Sequence, residues 1–364
     1  MFSMSLDRSS RPVAVWLMIG VFMLVVQILL GGITRLTGSG LSITEWDVIT
    51  GSLPPLNEHQ WLNEFHKYQQ TPQFRLLNTD FTLKDFKSIF FWEWFHRFWA
   101  RLMGIVFIIG FAIFWFQKRF TKDMVRPFVI LFLLGALQGA VGWIMVASGL
   151  TGDAVYVKPT KLAVHFIFAM LLISYTFWFA LKLLVRNDER IHSMKLKKIT
   201  LVLLALLAVQ LIYGALMAGH KAASAAPTWP DINGHYIPPH LFNNQLFLLN
   251  FVNNTALIHF IHRNLAYFIL IFVIALTVVA KSISKTRFIK KIYILPLIIV
   301  LIQVTLGILT VLNSIHIVPN QWGIFEWMAQ LHQLFGMLLL LSLILLLYTI
   351  SGKKRNSQTF NTVN

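Results

Sequence analysis

The sequence has 364 residues, is 57% hydrophobic and only 12% charged, and carries a formal net charge of +17. So apolar a composition excludes an ordinary soluble domain and marks a chain that crosses a membrane repeatedly. It contains no cysteine, which excludes disulfides, zinc–thiolate sites, iron–sulfur clusters and thiolate-ligated haem.

Apolar runs fall near 13–34, 91–116, 125–148, 161–184, 198–219, 256–280, 290–313 and 329–350. Each is long enough to span about 30 Å of hydrocarbon at roughly 1.5 Å per residue. The first is too long for a signal-peptide core and lacks a small-residue cleavage site, so it is expected to stay in the mature chain. The fold class expected is all-α integral membrane, with eight transmembrane helices.

Twenty of the 31 Lys and Arg residues lie at the N-terminus, in 118–126, 182–198 and 281–291, or after Ser351. Those are alternate connections, all on one side if eight helices cross. The positive-inside rule then places both termini in the cytoplasm and the loops over 35–90 and 220–255 on the outer side. Basicity here reports topology, and no nucleic-acid partner is expected.

The chain reads as a duplication. "AVHFIFAMLL" (163–172) pairs with "QLHQLFGMLL" (330–339), "HRFWA" (96–100) with "HRNLA" (262–266), and "LQGAVG" (137–142) with "IQVTLG" (302–307), at offsets of 165 to 167. "VQILLGG" (26–32) pairs with "VQLIYGA" (209–215) at a larger offset, as a longer first loop requires. Two halves follow, 1–190 and 191–364, each with four helices. Four is even, so both halves start from the same side. The expectation is two parallel-repeat four-helix bundles related by a pseudo-two-fold axis along the membrane normal.

Four of the twelve histidines lie inside apolar segments at repeat-matched places: His96, His165, His262 and His332. The second, fourth, sixth and eighth segments all run inward, and each of these His falls near the outer end. Each half thus offers two imidazoles at similar depth on two different helices, as bis-imidazole haem ligation requires. A proton relay remains open, whereas zinc would lack ligands. Arg97 and Arg263 each follow one of these His, where a guanidinium can hold a haem propionate or snorkel to the interface.

The halves differ at one informative place. Glu93 lies one turn before His96, and its repeat counterpart is His259. Only the first half therefore has a carboxylate beside its His pair, suited to acid–base or charge-stabilising work, or to a simple ion pair with Arg97.

With these residues identified, the sequence strongly resembles the haem A synthase family over nearly its whole length. The resemblance is carried by "GGITRLTGSGLSITEWDVITGSLPPL" (31–56), "KSIFFWEWFHRFWARLMG" (87–104), "LQGAVGWIMVASGL" (137–150), "GALMAGHKAA" (214–223), "TWPDINGHYIPP" (228–239), "HRNLAY" (262–267) and "LHQ" (331–333). Lack of cysteine is similar to the branch with mitochondrial and proteobacterial members. The resemblance implies that His262 and His332 hold a non-covalent haem b (protohaem IX). It implies that haem O binds as substrate between His96 and His165, with Glu93 as the essential carboxylate. A ring methyl of haem O would be oxidised to a formyl group by successive hydroxylations, giving haem A for terminal oxidases. Haem O synthase and an electron donor or acceptor are the partners implied. His259 departs from the family, where Gln is common.

Two other readings stand beside this one. In a di-haem b-type electron carrier or quinol oxidoreductase, both haems would be permanent. In a proton-relaying transporter, helices broken by Gly or Pro at mid-membrane would be expected, and the His-bearing segments carry no internal Pro. Glu93 in one half alone favours an enzyme acting on haem.

Overall fold

The computed structural model describes residues 11–45, 53–239, 241–242, 247–283 and 286–352. The expected cytoplasmic termini therefore lie largely outside the described residues. The chain is helical, with no strand beyond isolated bridges among the described residues. In order the helices are α1 (Arg11–Leu36), α2 (Glu58–Gln69), α3 (Pro72–Leu77), α4 (Leu83–Phe116), α5 (Lys122–Ala147), α6 (Pro159–Leu184), α7 (Met194–Gly219), α8 (Ala222–Ala225), α9 (Asn250–Asn253), α10 (Thr255–Ile283), α11 (Arg287–Ile292), α12 (Leu295–Leu312) and α13 (Ile324–Ile350).

Among the described residues, eight helical segments are long and apolar enough to cross a membrane: α1, α4, α5, α6, α7, α10, the stretch Arg287–His316 that holds α11 and α12, and α13. Each coincides with one apolar run of the sequence. The differences lie at the ends, where polar chemistry sets the boundary. α4 begins at Leu83, well before its apolar run, because Thr82 and Asp85 form a reciprocal cap: Thr82 N and Oγ1 donate to Asp85 Oδ2 at 2.9 and 2.6 Å. The seventh segment is split, with Pro296 in the first turn of α12. The first long loop is structured by α2 and α3, capped by Asn57 and Thr71. Tyr68, Phe86 and Phe90 build a small core beneath them. Burial pushes the Tyr68 phenol up to about 12, although Asn78 Nδ2 donates to its oxygen at 2.8 Å.

Packing repeats between the two sets of four. α1 packs on α4 and α6, and α5 on α6; correspondingly, α7 packs on α10 and α13, and α12 on α13. One relation is not repeated. α10 packs beside α12, whereas α4 and α5 do not run side by side in that way. They meet at the end away from the long loops, where the Phe111 and Phe128 rings lie 5.7 Å apart.

The two sets join through α1, α6, α7 and α13. Lipid tails are as apolar as leucine, so this junction relies on close approach and hydrogen bonds. Gln330 and Gln333 of α13 donate to the Leu29 and Ile28 carbonyls of α1 at 2.9 and 2.8 Å. Gly32 makes room for both, since a Cβ there would strike Gln330.

Candidate functional site

His96 lies on α4, His165 on α6, His262 on α10 and His332 on α13. Each imidazole is seated against a glycine of a neighbouring helix. A Cβ at Gly31 would stand 3.4 Å from His96 Nε2, and one at Gly214 3.3 Å from His262 Cε1. At Gly142 and Gly307 the added carbon would come within 2.8 Å of His165 Cε1 and His332 Cε1, which no real side chain tolerates. The glycines let helix and ring approach this closely.

One turn before each of these glycines stands a glutamine: Gln27, Gln138, Gln210 and Gln303. Gln138 Nε2 donates to the His165 carbonyl at 3.2 Å and lies 3.3 Å from His165 Nδ1. Gln210 Nε2 donates to the His262 carbonyl at 3.0 Å. His332 Nδ1 lies 3.0 Å from the Gln303 carbonyl. A proton on that nitrogen leaves the lone pair on Nε2, the atom with which such an imidazole binds a metal, and Gln303 Nε2 lies 3.4 Å from it.

The structure brings the histidines together in pairs. The His262 and His332 rings face each other at 6.2 Å between centroids and 79° between planes. Two imidazoles gripping one metal from opposite sides need roughly this separation, given metal–nitrogen bonds of about 2 Å. His96 and His165 sit against Gly31 of α1 and Gly142 of α5 at the matching positions of the first set. The residues present fit a bis-imidazole group in the second set, and His96 and His165 occupy the matching helix positions in the first.

Glu93 is 2% exposed and its carboxylate is saturated. Oε2 accepts from Ser42 N at 2.7 Å, Ser42 Oγ at 2.8 Å and Ile43 N at 3.0 Å, while Oε1 accepts from Arg97 Nη2 at 2.6 Å. Arg97 also donates to the Ile43 and Glu45 carbonyls at 3.3 Å each. The pair thus ties the start of the first long loop to the His-bearing helix. Arg263 does the same in the second set, donating to the Asp231, Thr228 and Ala226 carbonyls at 2.6, 2.6 and 3.2 Å. His259, in the place of Glu93, is 1% exposed, with Nε2 at 3.4 Å from Arg263. Both arginines therefore clamp loops, an arrangement the sequence alone did not disclose.

Reading residue types missed the four glutamines, the four glycines and Ser42. A signal for the first eight was present: Gln-x-x-x-Gly recurs at 27/31, 138/142, 210/214 and 303/307. Ser42 carried none, because only folding brings it to Glu93. Among the loop histidines, His220 Nε2 bonds the Val252 carbonyl at 2.7 Å, His59, His66 and His235 are exposed, and His240 lies outside the described residues.

These features define a polytopic membrane protein that carries two half-buried histidines at matched positions in each of two sets of four helices. More particularly, the chain belongs to the COX15-CtaA family of cytochrome oxidase assembly proteins, whose family model matches residues 14–344. A heme A synthase of Flavobacterium psychrophilum is 36% identical over 337 residues, covering 92% of this chain and 96% of the relative. One from Methylobacterium radiotolerans is 40% identical over 342 residues, covering 92% and 89%. One from Paracoccus denitrificans is 38% identical over 307 residues, covering 83% and 80%.

Proposed function

We infer that the protein is a haem A synthase, an oxidoreductase that converts a ring methyl of haem O to a formyl group by successive hydroxylations. The observation that carries this is the asymmetry of two matched His pairs: the first has a buried carboxylate, Glu93, and the second has His259 in its place. The relatives named heme A synthase, matched over most of their length, support it.

His262 and His332 hold the iron of a resident haem b, and the 6.2 Å ring spacing supports that role. Haem b supplies one-electron redox chemistry when bound. His96 and His165 receive the substrate haem O. Arg97 and Arg263 fasten the loops at the long-loop end and place positive charge there, where the haem propionates would lie.

Oxidation at the methyl leaves an electron-poor carbon beside the ring. Glu93 accepts four hydrogen bonds, about the number of lone-pair sites a carboxylate offers. Its oxygens are thus occupied and its orientation fixed, which suits stabilising positive charge at a set place beside the ring.

The two halves, 1–190 and 191–364, form parallel bundles about a pseudo-two-fold axis. They sit in the bacterial inner membrane with both termini cytoplasmic and the long loops outside. Haem O synthase supplies the substrate, and a separate electron donor or acceptor completes the redox balance. The test is incubation of the purified protein with haem O and a chemical one-electron acceptor, and in parallel with a reductant and dioxygen, followed by extraction and chromatography of the haems. Haem A is the expected product. A protein that instead holds two permanent haem b groups and leaves haem O unchanged is the di-haem carrier.

A further inference from the structure

One stripe of α5 faces the interior of the first bundle. Met124, Phe128 and Leu131 occupy it at the end away from the long loops, and all three are buried. Gly142, which seats His165, occupies it at the other end. Between them, at helical spacings of three and four, come Gly135, Gln138 and Gly139. A Cβ at Gly135 or Gly139 would meet no atom within 4 Å, and both residues are exposed. The interior face of α5 is thus hollow just below the His pair.

The second half fills the same place. At the offset that aligns Gln138 with Gln303, Gly135 becomes Val300 and Gly139 becomes Val304. Val300 is 2% exposed and belongs to the main core, with Val304 packed against it. The helix packing agrees: α10 and α12 lie together, whereas α4 and α5 stand apart above Phe111 and Phe128. The hollow also has a polar feature, the Gln138 Oε1 atom, which is buried without a partner. Gln303 Oε1 is likewise unpartnered, so the glycines and the helix spacing are what distinguish the halves.

We propose that the hollow along Gly135 and Gly139, opening between α4 and α5 to the bilayer, receives the isoprenoid tail of the substrate haem. The inference rests on the first half being the haem O site. Haem O differs from haem b by a long isoprenoid alcohol in place of one vinyl group, on the side of the macrocycle opposite the propionates. With propionates at the Arg97 end, that chain runs away from the long loops, along α5 toward Leu131. The glycines leave the volume it fills, and Gln138 Oε1 can accept from the hydroxyl at its root. The seam lets a lipid-like tail enter sideways from the membrane. The second half, closed by Val300 and Val304, has room for a haem without a tail.

The test uses the full-length protein with Gly135→Val and Gly139→Val together, which copies the second half into the first. Haem O and protohaem are titrated separately, and the resident haem b spectrum reports folding. Haem O should bind roughly tenfold or more weakly, while protohaem capture and resident haem b stay near wild type. Wild-type haem O affinity, or equal loss of both haems, overturns the proposal. If the double variant loses its haem b, the milder Gly139→Ala protein decides by the same comparison. His96→Ala and His165→Ala are run alongside. If these bind haem O as wild type does, the substrate-site reading itself fails. If they lose haem O while the glycine variants keep it, the tail groove alone is wrong.

Discussion

Arg97 donates to Glu93 Oε1 at 2.6 Å, and the opposite carboxylate oxygen is held by the backbone of Ser42 and Ile43. The buried acid of the first half is therefore both an ion-pair partner and the anchor of a loop. Removing one member of such a buried pair costs about 3–5 kcal/mol where the other charge is left uncompensated.

This dual role separates two outcomes for Glu93→Gln. The variant should retain resident haem b and capture haem O, yet form little haem A. The hydroxymethyl intermediate accumulates if the two oxidation steps need Glu93 unequally. Pairing it with Arg97→Gln removes the uncompensated charge and should restore thermal stability but not haem A. Haem extraction and chromatography decide the matter, and wild-type haem A in the single variant would remove Glu93 from the mechanism.

His262→Ala and His332→Ala should each lose the tightly bound haem b while the protein remains in the membrane. On the proposed reading the two rings, 6.2 Å apart, share one iron, and either one alone would hold it from a single side. Full retention of the low-spin spectrum in both variants would overturn the assignment.

Gly307→Val places a side chain where a Cβ already lies 2.8 Å from the His332 ring. Overpacking of this kind costs about 1–3 kcal/mol and should turn the imidazole away from the site. Haem b content should fall sharply, and the spectrum of what remains should shift. Gly104 is a fair control, since nothing lies within 4 Å of a Cβ there, and Gly104→Ala should keep wild-type haem b.

Arg263→Lys retains the charge but not the fork that reaches three carbonyls of the 226–231 loop. Amide hydrogen exchange in that loop should quicken severalfold, and the haem b potential should move. Unchanged exchange and an unchanged potential would leave Arg263 as an ordinary interfacial arginine.

The same loop should depend on acidity. Hydrogen bonds from Gly234 N and Thr228 hold the Asp231 carboxyl below its ordinary value. A depressed carboxyl adds stability that is complete above its unfolded value, about 3.9, and is lost as pH falls through the folded one. Exchange protection of the Gly234 amide should drop in that acid range, and Asp231→Asn should abolish the dependence.

Eight spans, the duplicated segments and the four membrane histidines were legible in the sequence because each depends on local composition or on spacing along one helix. A run of apolar residues long enough to span hydrocarbon must be helical, since no water satisfies its backbone. Repeat-matched His and Arg show themselves by register. What Arg97 and Arg263 bind was not legible, because their partners are loop carbonyls brought close only by the path of the chain. The glutamines and glycines around the histidines were visible as a spacing, but their meaning depends on which helix lies opposite.

The sequence by itself thus determined the membrane class, the helix count and the residue types able to hold a haem. These follow from the free energy of placing polar groups in hydrocarbon, which acts on each segment separately. Only the tertiary structure decided that His262 and His332 face each other, that Glu93 is saturated by a loop, and that α10 and α12 close together while α4 and α5 do not. Those relations depend on contacts between helices distant in the chain, where the absence of a side chain at Gly307 decides how near the His332 ring comes to α12.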